Sequence, residues 1–239
     1  MLKESRVVVL GGSRGIGFAV AEQASREGAR VVIVASQSSG VAAAVERLPE
    51  GATGRTVDLR SAAAVRGLFA ELGAFDHLVY TAGEPIPFGP RLVDLDLAAA
   101  RSFFELRYWG VVTAVQAARP YLRGGGSIVL TSGTSARRPP AGFAIGASIC
   151  GAIEALTRAL AVELAPVRVN AVTPGMVDTD LWSSIPRPAR EQMFRDVGAK
   201  LPVGRVGAAA DVAEAYLAFL RGGYTTGQAV VVDGGGMLV

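Results

Sequence analysis

The sequence predicts a doubly wound α/β protein, a single parallel sheet of about seven strands with helices on both faces. Three observations predict it. Short runs of β-branched residues, bounded by Gly or Asp, alternate with Ala- and Leu-rich segments whose apolar residues recur at helical spacing. Ala, Val and Gly dominate a chain that is 50% hydrophobic and only 19% charged, as a sheet sandwiched between helix layers requires. A glycine-rich turn joins the first run to the first helical segment.

In chain order the candidate strands are Arg6–Leu10, Arg30–Ala35, Gly54–Val57, His77–Tyr80, Ser127–Thr131, Val167–Val172 and Ala229–Val232. Helical segments lie near 15–28, 39–48, 61–72, 95–119, 143–165 and 209–221. Such alternation implies right-handed crossovers and one parallel sheet. No repeat, low-complexity tract or linker divides the 239 residues, so one domain over 1–239 is expected. Residues 178–200 carry Pro186 and Pro188, mixed polarity and no strand pattern, the expected form of a lid for substrate recognition. Small residues on several faces of 95–119 and 143–165, among them Ala99, Ala117, Ala147 and Gly151, suggest close helix packing between subunits.

The formal charge is +3, and arginines are interspersed with acids instead of clustered, which argues against a nucleic-acid partner. The single cysteine, Cys150, rules out an intramolecular disulfide. From Lys3 and Arg6 the chain runs into only four apolar residues, Val7 to Leu10, before Gly11, too few for a secretory core, so the expected location is the cytoplasm. Pro139 to Ile153 is the most apolar stretch, about 15 residues against the roughly 20 that span a bilayer, and reads as a buried helix with no membrane partner. His77, the only histidine, opens a strand after Asp76 and is read as surface structure. No metal site is expected.

Gly11-Gly12-Ser13-Arg14-Gly15-Ile16-Gly17 follows the first strand directly and opens the first helix. Gly11 permits a sharp turn, Gly15 lets the backbone approach a diphosphate, and Gly17 allows tight helix–strand packing. The helix N-terminus adds free N–H groups and a favourable dipole. A Rossmann-like dinucleotide site is the expectation.

The Gly-x-x-x-Gly-x-Gly spacing resembles the short-chain dehydrogenase/reductase fingerprint. Further similar segments follow in order: Val57-Asp58-Leu59, Thr81-Ala82-Gly83, Gly126–Val129, Ala159–Pro166, Val167–Gly175 and Thr226–Gly235. The resemblance covers essentially the whole chain. It implies that Asp58 and Leu59 flank the adenine, that Ala82 and Gly83 lie beneath the ribose, and that Pro174, Gly175, Val177 and Thr179 border the nicotinamide. With the small-residue helices it also implies a homodimer or homotetramer acting on a small-molecule substrate.

An acid at the end of the second strand accepts hydrogen bonds from an unmodified ribose; here that stretch reads Ala35-Ser36-Gln37-Ser38. Arg14 can pair with a 2′-phosphate, so NADP(H) is favoured over NAD(H). The family's reductases ordinarily use an Asn, Ser, Tyr and Lys tetrad. Aligned on Ala155–Ala161, the Tyr-x-x-x-Lys window falls on Gly146–Cys150, the serine position on Gly133 and the asparagine position on Arg107. The only lysines are Lys3 and Lys200, and no tyrosine lies between residues 122 and 199.

Three groups are candidates for the vacated chemistry. Arg107 can stabilise an oxyanion but is too basic to be an efficient acid. Ser132, Thr134 or Ser135 can orient a carbonyl or relay a proton. Cys150 can serve as a weak donor or, with a lowered pKa, as a thiolate. Arg137-Arg138 reads either as a binding site for an acidic substrate or as a solvated turn, and Glu84 follows the cofactor loop. Three functions remain open: an atypical oxidoreductase on a carbonyl, alcohol or conjugated double bond, a non-catalytic NADP(H)-binding sensor or partner subunit, and a non-redox enzyme on the same scaffold.

Overall fold

A computed structural model describes residues 2–84 and 91–239. The chain runs β1 (Arg6–Leu10), α1 (Gly15–Arg26), β2 (Arg30–Ala35), α2 (Ser38–Arg47), β3 (Thr53–Thr56), α3 (Ala62–Leu72) and β4 (Phe75–Tyr80). There follow α4 (Leu97–Phe104), a π-helical segment Glu105–Trp109, α5 (Gly110–Ala118), β5 (Leu122–Thr131), α6 (Ala144–Glu163) and β6 (Arg168–Pro174). The last part comprises β7 (Val177–Asp178), α7 (Arg187–Gly198), β8 (Gly207–Ala208), α8 (Ala209–Arg221) and β9 (Ala229–Val232).

Seven strands form one sheet in the order β3-β2-β1-β4-β5-β6-β9, parallel throughout, and β7 pairs with β8 beside it. Alternate residues of each strand enter opposite cores, as the two-residue period of a strand demands. Val8, Leu10, Leu78, Tyr80, Ile128 and Leu130 face α3, α5 and α6. Val7, Val9, Ile33, Val79 and Val129 face α1, α2 and α8. Being covered on both sides explains why the strands read as continuous apolar runs.

Strand order reverses about β1, which pairs with β2 on one side and β4 on the other. Their carboxyl ends flank the switch point where doubly wound sheets open a ligand crevice. The turn after β1 and the segment after β4, Thr81–Glu84, meet there.

Four expectations need correction. The helix expected over 95–119 is broken by Glu105–Trp109, which winds as a π-helix. The strand expected at Ser127 begins at Leu122. His77 is not surface structure: it is 7% exposed, and its Nδ1 is 2.9 Å from Ser127 Oγ. The apolar stretch ending at Ile153 is part of a 20-residue helix, α6, long and apolar enough by length and composition to cross a membrane. Here α6 is a core helix, with Ile153 buried, Leu156 and Leu160 packed on the same cluster, and Glu154 bonded inside the protein.

The expected lid contains a short 3₁₀ turn, Asp180–Trp182, and α7, whose first turn begins at Arg187-Pro188, where proline's missing N–H costs nothing. Arg137 and Arg138 do not form a merely solvated turn. Arg137 pairs with Glu154 at 3.3 Å and donates to Ala229 O, while Arg138 donates to Gly236 O, so the pair ties the C-terminal segment to the loop after β5.

Candidate active site

At the switch point Gly11 and Gly17 have no room for side chains. Gly11 has φ +91°, and a β-carbon there would lie 2.5 Å from Ala82 N; one on Gly17 would lie 2.3 Å from Gly11 O and 2.4 Å from Thr81 Oγ1. Turn, helix and β4 segment are thus in direct backbone contact. Thr81 Oγ1 holds the junction by donating to Leu10 O at 3.1 Å. Gly15 has φ +55°, and its missing β-carbon would sit 3.5 Å from Thr179, so the β6–α7 segment reaches across to the turn. Ser13 Oγ and Gln37 Cβ both lie 4.0 Å from the β-carbon position of Gly40, which brings the turn beside the exposed end of β2 at Ser36 and Gln37.

The start of α1 is electrically open. Its N-cap, Arg14, makes no side-chain capping bond, and the first turn carries no acid. Free N–H groups and the helix dipole therefore converge on a backbone cradle that any β-carbon would fill, which fits the diphosphate of a dinucleotide. Exposed Arg14 makes no ion pair among the described residues.

On the far rim, Asp58 is exposed and Leu59 is buried. Arg60 N donates to Asp58 Oδ1 at 3.0 Å, and the Arg60 guanidinium reaches Glu84 Oε1 at 2.8 Å. This bridge connects the loop after β3 to the segment after β4. Pro174 ends β6, Gly175 N donates to Val232 O at 3.0 Å, and Val177 is buried. A β-carbon on Gly175 would come within 2.7 Å of Asp233 Cβ.

Arg107 brings a cation to the edge of the crevice. It projects from the π-helical segment, where the altered winding displaces side chains from a regular helical face. Its guanidinium lies on Gly83, and Nη2 donates to Glu84 O. Among the described residues Nε is buried without a partner, as is Glu84 Oε2. Burial lowers the Arg107 pKa, opposed by the nearby Cys150 and Glu84; a guanidinium nonetheless stays cationic in a protein.

Cys150 lies across from it. A β-carbon on Gly133 would meet Cys150 Sγ at 3.1 Å, and Ser135 Oγ contacts that sulfur at 3.4 Å. Ser132 is buried and donates to Cys150 O at 3.0 Å. Burial pushes the Cys150 thiol up, against the opposing pull of Ser135 and Arg107, so the thiolate alternative loses its condition and the group is a neutral thiol. Glu154, one turn along, accepts from Thr173 Oγ1 at 3.1 Å.

The structure thus brings together Gly11 to Gly17, Gln37, Ala82, Gly83 and Thr179 at one crevice, and Arg107, Ser132 and Cys150 beside it. Sequence reasoning missed Phe143. A β-carbon on Gly146 would fall 2.4 Å from its ring, so the ring fills the space that a side chain at 146 needs. A Phe just before a helix gave no signal for this. Glu84 was noticed, but not its bridge to Arg60, because the two meet only in the folded chain.

A family model described as enoyl-(acyl carrier protein) reductase matches residues 11–236. The short-chain dehydrogenase/reductase fsr5 of Gibberella fujikuroi is 33% identical, over 99% of this chain and 96% of its own. Among solved structures, a small-chain dehydrogenase in complex with NADPH superposes with TM-score 0.87 at 37% identity, covering 99% of this chain and all of its own. The MalC reductase/Diels-Alderase of Malbranchea aurantiaca superposes with TM-score 0.92 at 27% identity, covering 100% of this chain and 98% of its own. The crevice and fold define a dinucleotide-binding oxidoreductase scaffold. The chain belongs to the short-chain dehydrogenase/reductase family.

Proposed function

We propose that this protein is an NADP(H)-dependent oxidoreductase acting on a small organic carbonyl, alcohol or conjugated double bond, with Arg107 performing the electrostatic work of the absent tyrosine and lysine. One observation carries the reading: a buried guanidinium rests on Gly83, beside a glycine cradle at an uncapped, acid-free helix start. In this reading Gly11, Ser13, Arg14, Gly15, Ile16 and Gly17 hold the diphosphate. Asp58 and Leu59 flank the adenine, Ala82 and Gly83 support the ribose, and Pro174, Gly175, Val177 and Thr179 border the nicotinamide. The acid-free end of β2 at Ser36 and Gln37, with exposed Arg14 nearby, supports NADP(H) over NAD(H).

When bound, a reduced nicotinamide supplies a hydride to the substrate's electrophilic carbon. As the π pair moves to oxygen, Arg107 stabilises the developing oxyanion in a site of low dielectric. Water supplies the proton, with Ser132 and the neutral Cys150 thiol as the nearby polar groups. Losing a general acid forfeits roughly 10²–10⁴-fold, whereas held attack geometry supplies ~7–11 kcal/mol; the reaction survives the loss.

Residues 178–200 serve as the substrate lid, supported by the approach of Thr179 to Gly15. Exposed Leu92, Val93, Leu97 and Trp109 on one side, and Val230 and Leu238 on another, support a homodimer or homotetramer. A cytoplasmic location agrees with a lone, buried, free cysteine.

Titration with NADPH and NADH, then dinucleotide absorbance across a panel of carbonyls and enones, tests the proposal. The expected result is tighter NADPH binding and turnover on some members; no binding of either dinucleotide at millimolar concentration would falsify it. The likeness to a reductase that is also named a Diels-Alderase favours a second reading, bond formation in the same pocket. Product formed without dinucleotide consumption would select it.

A further inference from the structure

A cavity of about 80 Å³ opens between α4 and the start of α6, walled by Leu92, Leu95, Ala99, Phe103, Phe143 and Ile145. One water needs about 10–15 Å³ of such space and two or more polar partners. This cavity has the room, and its described walls are mainly apolar. Its one acid, Asp96, caps α4 by accepting from Ala98 N at 2.8 Å and Ala99 N at 3.3 Å. A space of this kind favours an apolar occupant.

The cavity's position relates it to the chemistry. Phe103 precedes Arg107 by four residues along one helical path, and Gly146 precedes Cys150 by four along α6. Residues four apart in a regular helix share a face, which sets Gly146 and Cys150 together on α6, while Phe103 lies just ahead of the π-helical segment that carries Arg107. The chamber therefore stands about one turn away from the level where Arg107 and Cys150 confront each other. Its wall is Phe143, whose ring fills the side-chain space of Gly146, the position that the family pattern gives to tyrosine.

We propose that this chamber binds the hydrocarbon body of a lipophilic ketone or enone, its oxygen directed toward Arg107. Phe143 sets the specificity: it replaces a proton-donating phenol with an apolar surface. The proposal rests on the oxidoreductase reading above and adds the substrate class.

The test is calorimetric titration of the protein, with and without saturating NADP⁺, using 2-decalone, cyclohexanone and dihydroxyacetone as probes. NADP⁺ binding is titrated separately. The expected result is binding of 2-decalone at least ~10-fold tighter than of dihydroxyacetone. Ala99→Phe, which fills the chamber from an exposed helix position, should weaken 2-decalone at least ~10-fold and leave NADP⁺ affinity unchanged. Phe143→Ala should raise the preference for 2-decalone over cyclohexanone by enlarging the space. If NADP⁺ binds but 2-decalone does not, or binds Ala99→Phe as well as the unaltered protein, or dihydroxyacetone binds equally, the chamber assignment is wrong while the cofactor reading stands. Failure of NADP⁺ to bind removes the underlying reading, whatever the decalone result.

Discussion

The Arg107 guanidinium rests on Gly83 so closely that a β-carbon there would lie 2.7 Å from Arg107 Cζ. The contact couples the two residues and makes a double-mutant cycle informative. Arg107→Ala is expected to lower kcat at least ~100-fold, the usual cost of removing an oxyanion donor. Gly83→Ala, by displacing the guanidinium, should cost about 10-fold in the unaltered protein and less than about 2-fold in the Arg107→Ala background. Steady-state kinetics of the four proteins decide it; additive losses would show that the contact is incidental.

Gly17 meets the turn carbonyl of Gly11 and the hydroxyl of Thr81, so Gly17→Ala must force backbone apart. Overpacking of this kind costs ~1–3 kcal/mol, and each kcal/mol lowers Tm by about 2–4 °C in a domain of this size. A thermal melt should show that drop, and calorimetry the loss of dinucleotide binding. An unchanged melt would contradict the tight junction.

Dinucleotide preference should respond to charge at the rim. Arg14→Ala is expected to weaken NADPH about 10-fold and NADH less than about 3-fold, the difference shrinking with added salt. Ser36→Asp should reverse the preference toward NADH, because a carboxylate there accepts from a ribose hydroxyl and repels a phosphate. Fluorescence titrations of both cofactors provide the check.

His77 gives stability a pH dependence. Burial holds its pKa down from 6.5 to about 4, with Asp76 opposing and Arg168 assisting. Between those values the unfolded chain binds the extra proton and the folded chain does not, so lowering the pH from 6.5 to about 4 removes stability, on the order of 3 kcal/mol. Above 6.5 this contribution is fully present. Denaturant melts across the range should show the slope, and His77→Gln should flatten it.

The architecture was largely legible because a sheet covered on both faces leaves its mark locally: Val7 to Leu10 read as a strand without knowledge of what covers them. The glycine turn was equally plain, since Gly11 and Gly17 answer close backbone approaches and Gly15 a positive φ. Register and winding were not. The π segment at Glu105–Trp109 carries no breaker residue, so nothing local distinguishes it from the helix around it. His77 was misplaced because its neighbour Asp76 is charged, whereas its burial comes from β1 and β5, far away in the chain. At the candidate site, alignment on Ala155–Ala161 sets Gly133, Gly146 and Cys150 at the positions where the family pattern expects serine, tyrosine and lysine. The occupant of one of them, the Phe143 ring, could not be read that way, since a ring's direction depends on the fold around it.

The wide turn between α4 and α5 separates two halves of one helical path. Each residue of an α-helix advances the facing direction by about 100°. Because the wide turn holds about one residue more than a regular one, deleting Glu105 would let the path run on as an α-helix with Ala99 and Phe103 before it, and Val111 and Ala114 after it, keeping nearly their present directions. The residues whose direction depends on the extra residue are therefore those within the wide turn, Arg107 among them.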